Sequence, residues 1–365
     1  MPGEALREVK RVQIFMVRVG IIGCGKIAQV RHIPEYMDNV HAEIAGYYDF
    51  NHERAKGLAE KYGGKAYQTV DDLLADSNID AISVCAANNA HAELTIKALD
   101  AGKHVLCEKP MAVTLEDCEK MVEAADRNGK YLMIGQNQRM AKAHVRAKEL
   151  IEKGEIGKIV TFRTTFGHGG PETWSIDGGS GTWFFDKKKA AMGAMADLGI
   201  HKTDLIQYLT GSRIIETTAV VTTLDKRYAN GELIGVDDNA VCVYKLDNGA
   251  VGTMAASWTY YGEEDNSTIL YGTEGIMKIY QNPEYSIEII RKNGERTLYA
   301  LDQIQTNDNQ TKSGIIDAFV DAVVSHTEPS ISGRSVLSAM RAVFASLESA
   351  EKGCTVSVNQ EGGQG

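Results

Sequence analysis

Two hydrophobic periods alternate along the first third of the chain. Five short apolar runs have the length of buried strands, at residues 17–22, 43–48, 81–85, 104–107 and 131–134. Segments with helical spacing separate them, at residues 27–37, 51–62, 70–76, 90–101 and 115–128. This alternation predicts an α/β domain over residues 16–137, with a parallel sheet covered on both faces. Such sheets bind ligands at the carboxyl ends of their strands, so the loops that follow the strands should line one crevice.

The pattern changes after residue 137. Helical spacing recurs at 141–153 and about 190–209, around a strand at 158–166 and a glycine-rich stretch at 167–181. Turn signals at Asp247-Asn248-Gly249 and Asn293-Gly294 predict two hairpins, with strands at 240–246, 250–258, 285–291 and 296–301. Tail helices are predicted at 312–325 and 334–352, with packing back on the first domain as an alternative to packing within the second. Residues 138–355 therefore read as an α+β domain with a mostly antiparallel sheet, and residues 1–15 as an extension outside the fold.

Composition excludes several classes of protein. The chain has 365 residues and a formal net charge of −10 without a compensating basic block, which argues against a nucleic-acid partner. No apolar stretch approaches the roughly 20 residues that cross a bilayer, and the amino terminus lacks the apolar core of a secretory signal. The six cysteines form no C-x-x-C pair, which is typical of reduced thiols in the cytoplasm. The histidine spacing indicates no metal site.

A glycine motif follows the first strand directly. In Gly23-Cys24-Gly25-Lys26-Ile27-Ala28, Gly23 can make the tight turn, Gly25 allows a pyrophosphate to approach the backbone, and Ala28 lets the helix pack closely. Asp49 ends the second strand, about where an acidic residue reaches the ribose hydroxyls. The motif alone often marks only a flexible loop, but with the preceding strand and Asp49 it predicts a dinucleotide site. A carboxylate repels a 2′-phosphate, so NAD is favoured over NADP.

Two further features carry candidate chemistry. Lys109, in Glu108-Lys109-Pro110 at the crevice edge, can donate to a substrate oxygen, although a surface lysine near a helix start explains it equally well. Asp197 and His201 lie four residues apart on a predicted helix, so the carboxylate could orient the imidazole as a base. An exposed helix pair is the alternative. Gly199 between them costs helix stability, which close approach of a ligand or simple packing would explain.

These residues together resemble the glucose–fructose oxidoreductase / inositol dehydrogenase (Gfo/Idh/MocA) family from Met16 onward. The most specific match is the run A-G-K-H-V-L-C-E-K-P at residues 101–110. The resemblance implies a Rossmann domain, an open-faced second sheet, NAD as cofactor, and catalytic roles for Lys109, Asp197 and His201. It implies a cis bond before Pro110. It also implies cofactor contacts from Gly23, Gly25, Lys26, Ile27, Asp49, Asn88, His91, Glu108 and Lys109.

The resemblance further implies hydride transfer between NAD and a secondary carbinol of a sugar, cyclitol or derivative. Candidate substrate residues are Asn137, Arg139, His168 and Trp183, together with Trp174 and Asp177. A structural salt bridge is an equal alternative for Arg139, and packing is one for the tryptophans. Pairing of subunits through the open sheet is implied, as a homodimer or homotetramer.

Two departures from the family pattern are visible. The loop usually written T-P-N-x-x-H reads Ala86-Ala87-Asn88-Asn89-Ala90-His91, without the proline, and Ala190-Ala191-Met192-Gly193 replaces a run of glycines. They put the stiffness of the loop and the shape of the substrate pocket in doubt. Three alternative functions stay open: an NADPH-preferring reductase of a keto- or anhydro-sugar, a redox-neutral enzyme with tightly bound NAD, and a non-catalytic NAD sensor.

Overall fold

A computed structural model describes residues 16–304 and 312–359. The predicted extension at residues 1–15 lies outside the described residues. Two β-sheets organise the fold. The first has six strands, in the order β3-β2-β1-β4-β5-β6, and every neighbouring pair is parallel. Its strands are β1 (Val17–Ile22), β2 (Ala42–Tyr48), β3 (Lys65–Ala66), β4 (Ala81–Val84), β5 (His104–Cys107) and β6 (Leu132–Ile134). The predicted α/β domain is confirmed, and only the two-residue β3 was missed.

Helices connect these strands at the predicted places. They are α1 (Ile33–Asp38), α2 (His52–Tyr62), α3 (Val70–Ala75), α4 (His91–Asp100) and α5 (Leu115–Asn128). The helix predicted over residues 27–37 is divided, because a wide π-type turn at Ala28–His32 precedes α1. Both ends of α5 carry capping residues. The Thr114 side chain accepts from the Asp117 N–H at the start, and Gly129 ends the helix in the left-handed conformation.

The second sheet has nine strands, in the order β14-β13-β12-β11-β7-β10-β9-β8-β15. Only β7 and β10 pair in parallel, so the predicted, mostly antiparallel sheet is confirmed. The strands are β7 (Ile159–Gly167), β8 (Ile214–Thr222), β9 (Asn239–Leu246), β10 (Val251–Ser257), β11 (Thr268–Gly272), β12 (Gly275–Ile279), β13 (Ile287–Arg291), β14 (Arg296–Tyr299) and β15 (Val356–Ser357). Both predicted hairpins, β9–β10 and β13–β14, are present.

Three helices pack on one face of this sheet, α6 (Lys142–Glu152), α8 (Ile200–Thr210) and α10 (Gly333–Lys352). The short α7 (Lys187–Ala190) precedes α8, and α9 (Ile315–Ser325) packs against α1 and β1 of the first sheet. On the other face the alternation of β8, β9 and β10 leaves four valines exposed, Val220, Val241, Val243 and Val251. Within the described ranges, no helix has the length and apolarity needed to cross a bilayer.

The helix predicted from residue 190 begins later, and this correction affects the site. Its first turn is a π-type turn at Met195–Gly199, which continues into α8. The Asp237 carboxylate accepts from the N–H groups of Gly193 and Met195, both at 2.7 Å, and so binds the free donors of the helix start. A Cβ on Gly193 would lie 1.8 Å from the Asp237 carbonyl oxygen, so only glycine fits there.

The tail of the chain returns to the first sheet. The Ile134 N–H in β6 donates to the Ile331 carbonyl at 3.0 Å, and Met133 forms an antiparallel bridge with Ser332. Helix α10 then packs on both α5 and β8. The division of the chain between residues 137 and 138 therefore stays a prediction, since the last helix belongs to both halves.

Candidate active site

The turn after β1 shows why both of its glycines are needed. Gly23 has a φ of +89°, and a Cβ there would lie 2.6 Å from the backbone of Cys85 on the neighbouring strand. Gly25 meets nothing within 4 Å, so a side chain there would project into open space. Position 23 therefore requires glycine because of its backbone conformation and its close approach to the Cys85 backbone. Glycine at position 25 leaves space free for a ligand.

Asp49 secures this turn. One carboxylate oxygen accepts from the Cys24 N–H at 2.7 Å and the other accepts from the Asn51 N–H at 2.8 Å. The guanidinium of Arg54 lies 3.7 Å from the same carboxylate. Asp49 therefore ties the end of β2 to the glycine turn and carries its negative charge at the edge where a ribose was predicted.

A cavity of about 1530 Å³ opens at the carboxyl ends of the parallel strands. Its volume exceeds the ~300–1000 Å³ of a typical single-ligand pocket, so the cavity has room for a cofactor and a second ligand. The structure brings nearly all the predicted residues to its wall: Gly23, Gly25, Lys26, Ile27, Asp49, Asn88, His91, Glu108, Lys109, Asn137, His168, Trp174, Asp177, Trp183, Asp197 and His201.

Arg139 is the exception among the predicted substrate residues. Its guanidinium donates to both carboxylate oxygens of Asp204, at 2.7 and 2.5 Å, and also to the Ser335 side chain and carbonyl. Both charged side chains are buried, and Arg139 does not line the cavity. The structure thus contains the salt bridge of the alternative interpretation, because a buried carboxylate on α8 binds the guanidinium.

The predicted cofactor residues after β4 make contacts within the protein. The Asn88 side chain donates to the Ala190 carbonyl at 3.0 Å. The His91 ring bridges the carbonyls of Pro110 and Ala86, at 2.7 and 3.0 Å. These contacts hold the loop that lacks the family proline.

Glu108 has an internal partner as well. Its carboxylate is buried, 2.9 Å from Nε2 of His32, and it lies 3.9 Å from the Arg31 guanidinium. Burial alone raises the pKa of Glu108, but the hydrogen bond and charge of His32 and the charge of Arg31 outweigh it and lower that pKa to about 2. Glu108 therefore stays ionised and supplies a fixed negative charge at the cavity wall.

Lys109 follows Glu108 and points into the site. Its ammonium donates to Oδ1 and to the backbone carbonyl of Asp197, both at 2.8 Å. The Lys109–Pro110 peptide is cis, as the family resemblance implied. The surface-lysine alternative is wrong, because this side chain is largely enclosed and joins β5 to the start of the α8 segment.

Asp197 has two further neighbours, of which one, His168, was predicted as a substrate residue and the other, Trp258, was not predicted as a site residue. The Trp258 indole N–H donates to Oδ2 at 3.0 Å, and Nε2 of His168 lies 3.8 Å from the same oxygen. Burial raises the pKa of Asp197, but the charge of Lys109, the His168 ring and the two hydrogen bonds hold it below its ordinary value. Trp258 was missed because it ends an apolar strand, where a tryptophan signals packing rather than hydrogen bonding.

The geometry of His201 differs from the prediction. No hydrogen bond joins it to Asp197 in residues 16–304 and 312–359, and its buried Nδ1 has no partner there. The reason is that Lys109 and Trp258 occupy the Asp197 oxygens, while the wide turn at Met195–Gly199 alters the spacing of the helix face. Burial, and then the charge of Lys109, lowers the pKa of His201 well below its ordinary value. The imidazole is therefore neutral at pH 7.

Comparison with known proteins agrees with this arrangement. Residues 17–136 match the model of an oxidoreductase family with an NAD-binding Rossmann fold, and residues 144–278 match the Gfo/Idh/MocA C-terminal domain. The chain is 27% identical to myo-inositol 2-dehydrogenase of Thermotoga maritima, over 94% of this chain and 99% of that protein.

Solved structures extend the similarity to three dimensions. Levoglucosan dehydrogenase in complex with NADH and levoglucosan superposes with a TM-score of 0.82 at 25% identity, covering 94% of this chain and 99% of that one. Aldose-aldose oxidoreductase from Caulobacter crescentus, complexed with glycerol, has a TM-score of 0.79 at 26% identity over the same shares. The chain therefore belongs to the Gfo/Idh/MocA family of oxidoreductases, with an NAD-binding Rossmann fold in its first part.

Proposed function

We propose that this protein is an NAD-dependent dehydrogenase acting on a secondary carbinol of a sugar or cyclitol. One observation carries the proposal: an ammonium, a carboxylate and a neutral imidazole, from Lys109, Asp197 and His201, line the same cavity as the glycine turn. Relatives named for myo-inositol and levoglucosan support the substrate class.

The chain fits the cofactor. The open space at Gly25 gives a pyrophosphate access to the backbone, and the preceding turn is fixed by Gly23 and Asp49. The residues that would hold NAD are Gly23, Gly25, Lys26, Ile27, Asp49, Asn88, His91, Glu108 and Lys109. The carboxylate of Asp49 favours NAD, whereas the nearby Arg54 lowers the penalty for a 2′-phosphate.

Each member of the catalytic group has a role that its surroundings support. NAD bound in this cavity would supply the hydride acceptor for the carbinol carbon. Lys109 donates to the carbinol oxygen and stabilises the negative charge that develops on it. His201, which is neutral and whose Nδ1 has no hydrogen-bond partner among the described residues, accepts the hydroxyl proton. Asp197 holds Lys109 in place and balances its charge.

Aromatic and polar groups beside this trio suit a polyol. Trp183 stacks on Phe184 with ring centroids 3.9 Å apart, and Trp174 meets the same ring edge-on. Such faces match the C–H face of a sugar ring, while His168 and Asn137 can bind hydroxyl groups. Asp177, 3.5 Å from Arg54, lies at the outer end of this wall.

One alternative has specific support. A redox-neutral reaction, in which NAD stays bound between turnovers, is suggested by the similarity to aldose-aldose oxidoreductase. Nucleotide retained through purification, together with oxidation of one sugar that depends on reduction of a second, would favour it over a simple dehydrogenase.

The test is formation of NADH by purified protein on a panel of cyclitols, pyranoses and sugar acids, with NAD and NADP in parallel. Lys109→Ala should abolish turnover, while NADH still binds with a lower affinity because the other cofactor residues remain. Lys148→Met is the matched control, because that lysine also donates to a carbonyl, that of Tyr208 at 3.0 Å, but away from the cavity. Binding of NADH without turnover in either direction would contradict the dehydrogenase and favour a sensor.

We also propose that the open sheet face pairs two subunits, giving a homodimer or homotetramer. Val220, Val241, Val243 and Val251 form an apolar patch on three adjacent strands, and they are 65, 52, 44 and 43% exposed. Contiguous patches of this kind mark contact surfaces.

A cytoplasmic location is supported by the six free cysteines, five of them buried.

A further inference from the structure

Lys202 is a fully buried lysine next to His201, and the mechanism does not use it. Its side chain has 0% exposure, and although the charges of Asp265 and Glu264 act on it, no ion pair joins it to a carboxylate in the described chain. Lysine is almost never buried without such a partner, because removing an ammonium from water is costly. A residue retained at that cost needs an explanation beyond packing.

Its contacts lead to the cavity wall. The Lys202 ammonium donates to the backbone carbonyl of Asn266 at 3.0 Å, and no other donor to that oxygen is present in residues 16–304 and 312–359. It also lies 5.9 Å from the centre of the Phe166 ring, whose ring neighbours are His168 and His201, at 5.9 and 6.0 Å between ring centres. Phe166 thus contacts both Lys202 and His201, and the Lys202 ammonium holds the segment that contains Asn266.

Asn266 is the residue that this contact positions. Its side chain is buried and lines the same cavity as Lys109 and His201. Oδ1 accepts from the Gln138 amide at 3.1 Å, which fixes the orientation of the Asn266 amide. The Asn266 NH₂ group has no acceptor within the described ranges, so an oriented hydrogen-bond donor is available at the wall.

We infer that Asn266 is a specificity-determining residue that donates to a substrate hydroxyl, and that Lys202 is the positioning residue that holds it. The inference rests on the proposed function for the substrate, since the acceptor is a hydroxyl of the same sugar or cyclitol. The hydrogen bond from the Asn266 amide would stabilise bound substrate and transition state equally, because it would be made to a hydroxyl other than the one oxidised.

The test compares Asn266→Ala, Lys202→Met and the double variant on the compound that the wild-type protein oxidises best. Asn266→Ala should raise KM about tenfold with kcat within about threefold, because a lost hydrogen bond to bound substrate is a loss of uniform binding. Lys202→Met should raise KM by roughly three- to tenfold. The double variant should match Asn266→Ala, because the lysine acts through the asparagine.

Two controls separate positioning from general damage. Lys148→Met removes a lysine–carbonyl hydrogen bond of the same length and should leave KM unchanged. The dissociation constant of NADH, measured by fluorescence, should be the same in all variants. Unchanged KM in Asn266→Ala, multiplicative effects in the double variant, or a fall in kcat alone would each overturn the inference.

A readout without substrate distinguishes failure of this inference from failure of the proposed function. Amide hydrogen exchange at residues 264–267 should be faster in Lys202→Met than in the wild type or in Lys148→Met. If the wild-type protein oxidises nothing on the panel, the proposed function and the role of Asn266 fail together, while exchange still decides whether Lys202 holds the segment. Unchanged exchange would overturn the positioning role.

Discussion

The indole N–H of Trp258 donates to Oδ2 of Asp197 at 3.0 Å, and both side chains are buried. Trp258 follows β10, so a residue of the second sheet fixes the carboxylate that holds Lys109. The charge of the candidate active site therefore depends on the second sheet as much as on the Rossmann fold.

Trp258→Phe should raise the pKa of Asp197, because it removes a donor that stabilises the carboxylate. A carboxylate with a depressed pKa loses its charge as pH falls, so the acid limb of kcat/KM should move up by about one pH unit. At pH 7 Asp197 stays ionised in the variant, so kcat/KM there should fall about tenfold for a different reason, the loss of the hydrogen bond that positions the carboxylate against Lys109. Phe185→Leu trims a buried ring packed against Trp258 without touching Asp197. An equal shift of the acid limb in that control would assign the effect to packing.

Lys202→Met should change how stability depends on pH. Burial lowers the pKa of Lys202 from 10.5 to about 7, so between pH 7 and 10 the unfolded chain binds more protons than the folded one. The contribution of Lys202 to the free energy of unfolding therefore rises with pH across that window. Between pH 7 and 9, the free energy of unfolding of the variant should exceed that of the wild type most at pH 7. This difference should be smaller at pH 9 by on the order of 2 kcal/mol. Urea unfolding at both pH values measures it, and a gap that stays constant would contradict the buried charge.

Arg139→Met should destabilise the protein without affecting substrate binding. It leaves the buried Asp204 carboxylate unpaired, which costs about 3–5 kcal/mol in comparable buried pairs. Replacing Asp204 by leucine as well should recover part of that loss. KM should change less than about twofold. A large rise in KM with unchanged unfolding free energy would instead return Arg139 to the substrate site.

Val241→Glu should dissociate the proposed oligomer, because it places a charge at the centre of the apolar patch. Sedimentation velocity should show the wild type as a dimer or tetramer and the variant as a smaller species. Val40→Glu is the control, since Val40 is 75% exposed and lies before β2, away from the second sheet. A monomeric wild type would end the proposal.

The sequence predicted an element correctly where a local pattern, such as hydrophobic periodicity or a turn glycine, determines that element. The first sheet, its helices and the glycine turn follow from periodicity and from Gly23, and nearly every predicted site residue lines the cavity. Contacts distant in sequence were not predictable. Asp237 sets the helix start 42 residues before it, and Asp204 binds Arg139 across 65 residues. The four-residue spacing suggested a hydrogen bond between Asp197 and His201. Lys109 and Trp258, which lie on other elements, donate to the Asp197 oxygens instead.

The bridge from Ser332 to Met133 also bears on how the chain is made. Until residues 331–332 have been synthesised, β6 is an open sheet edge, and such an edge is a template for pairing with other chains. Residues 135–332 must therefore leave the ribosome before the β6 edge of the first sheet is covered. A truncated first half would expose that edge permanently, so swaps of this half between relatives need the tail carried along with it.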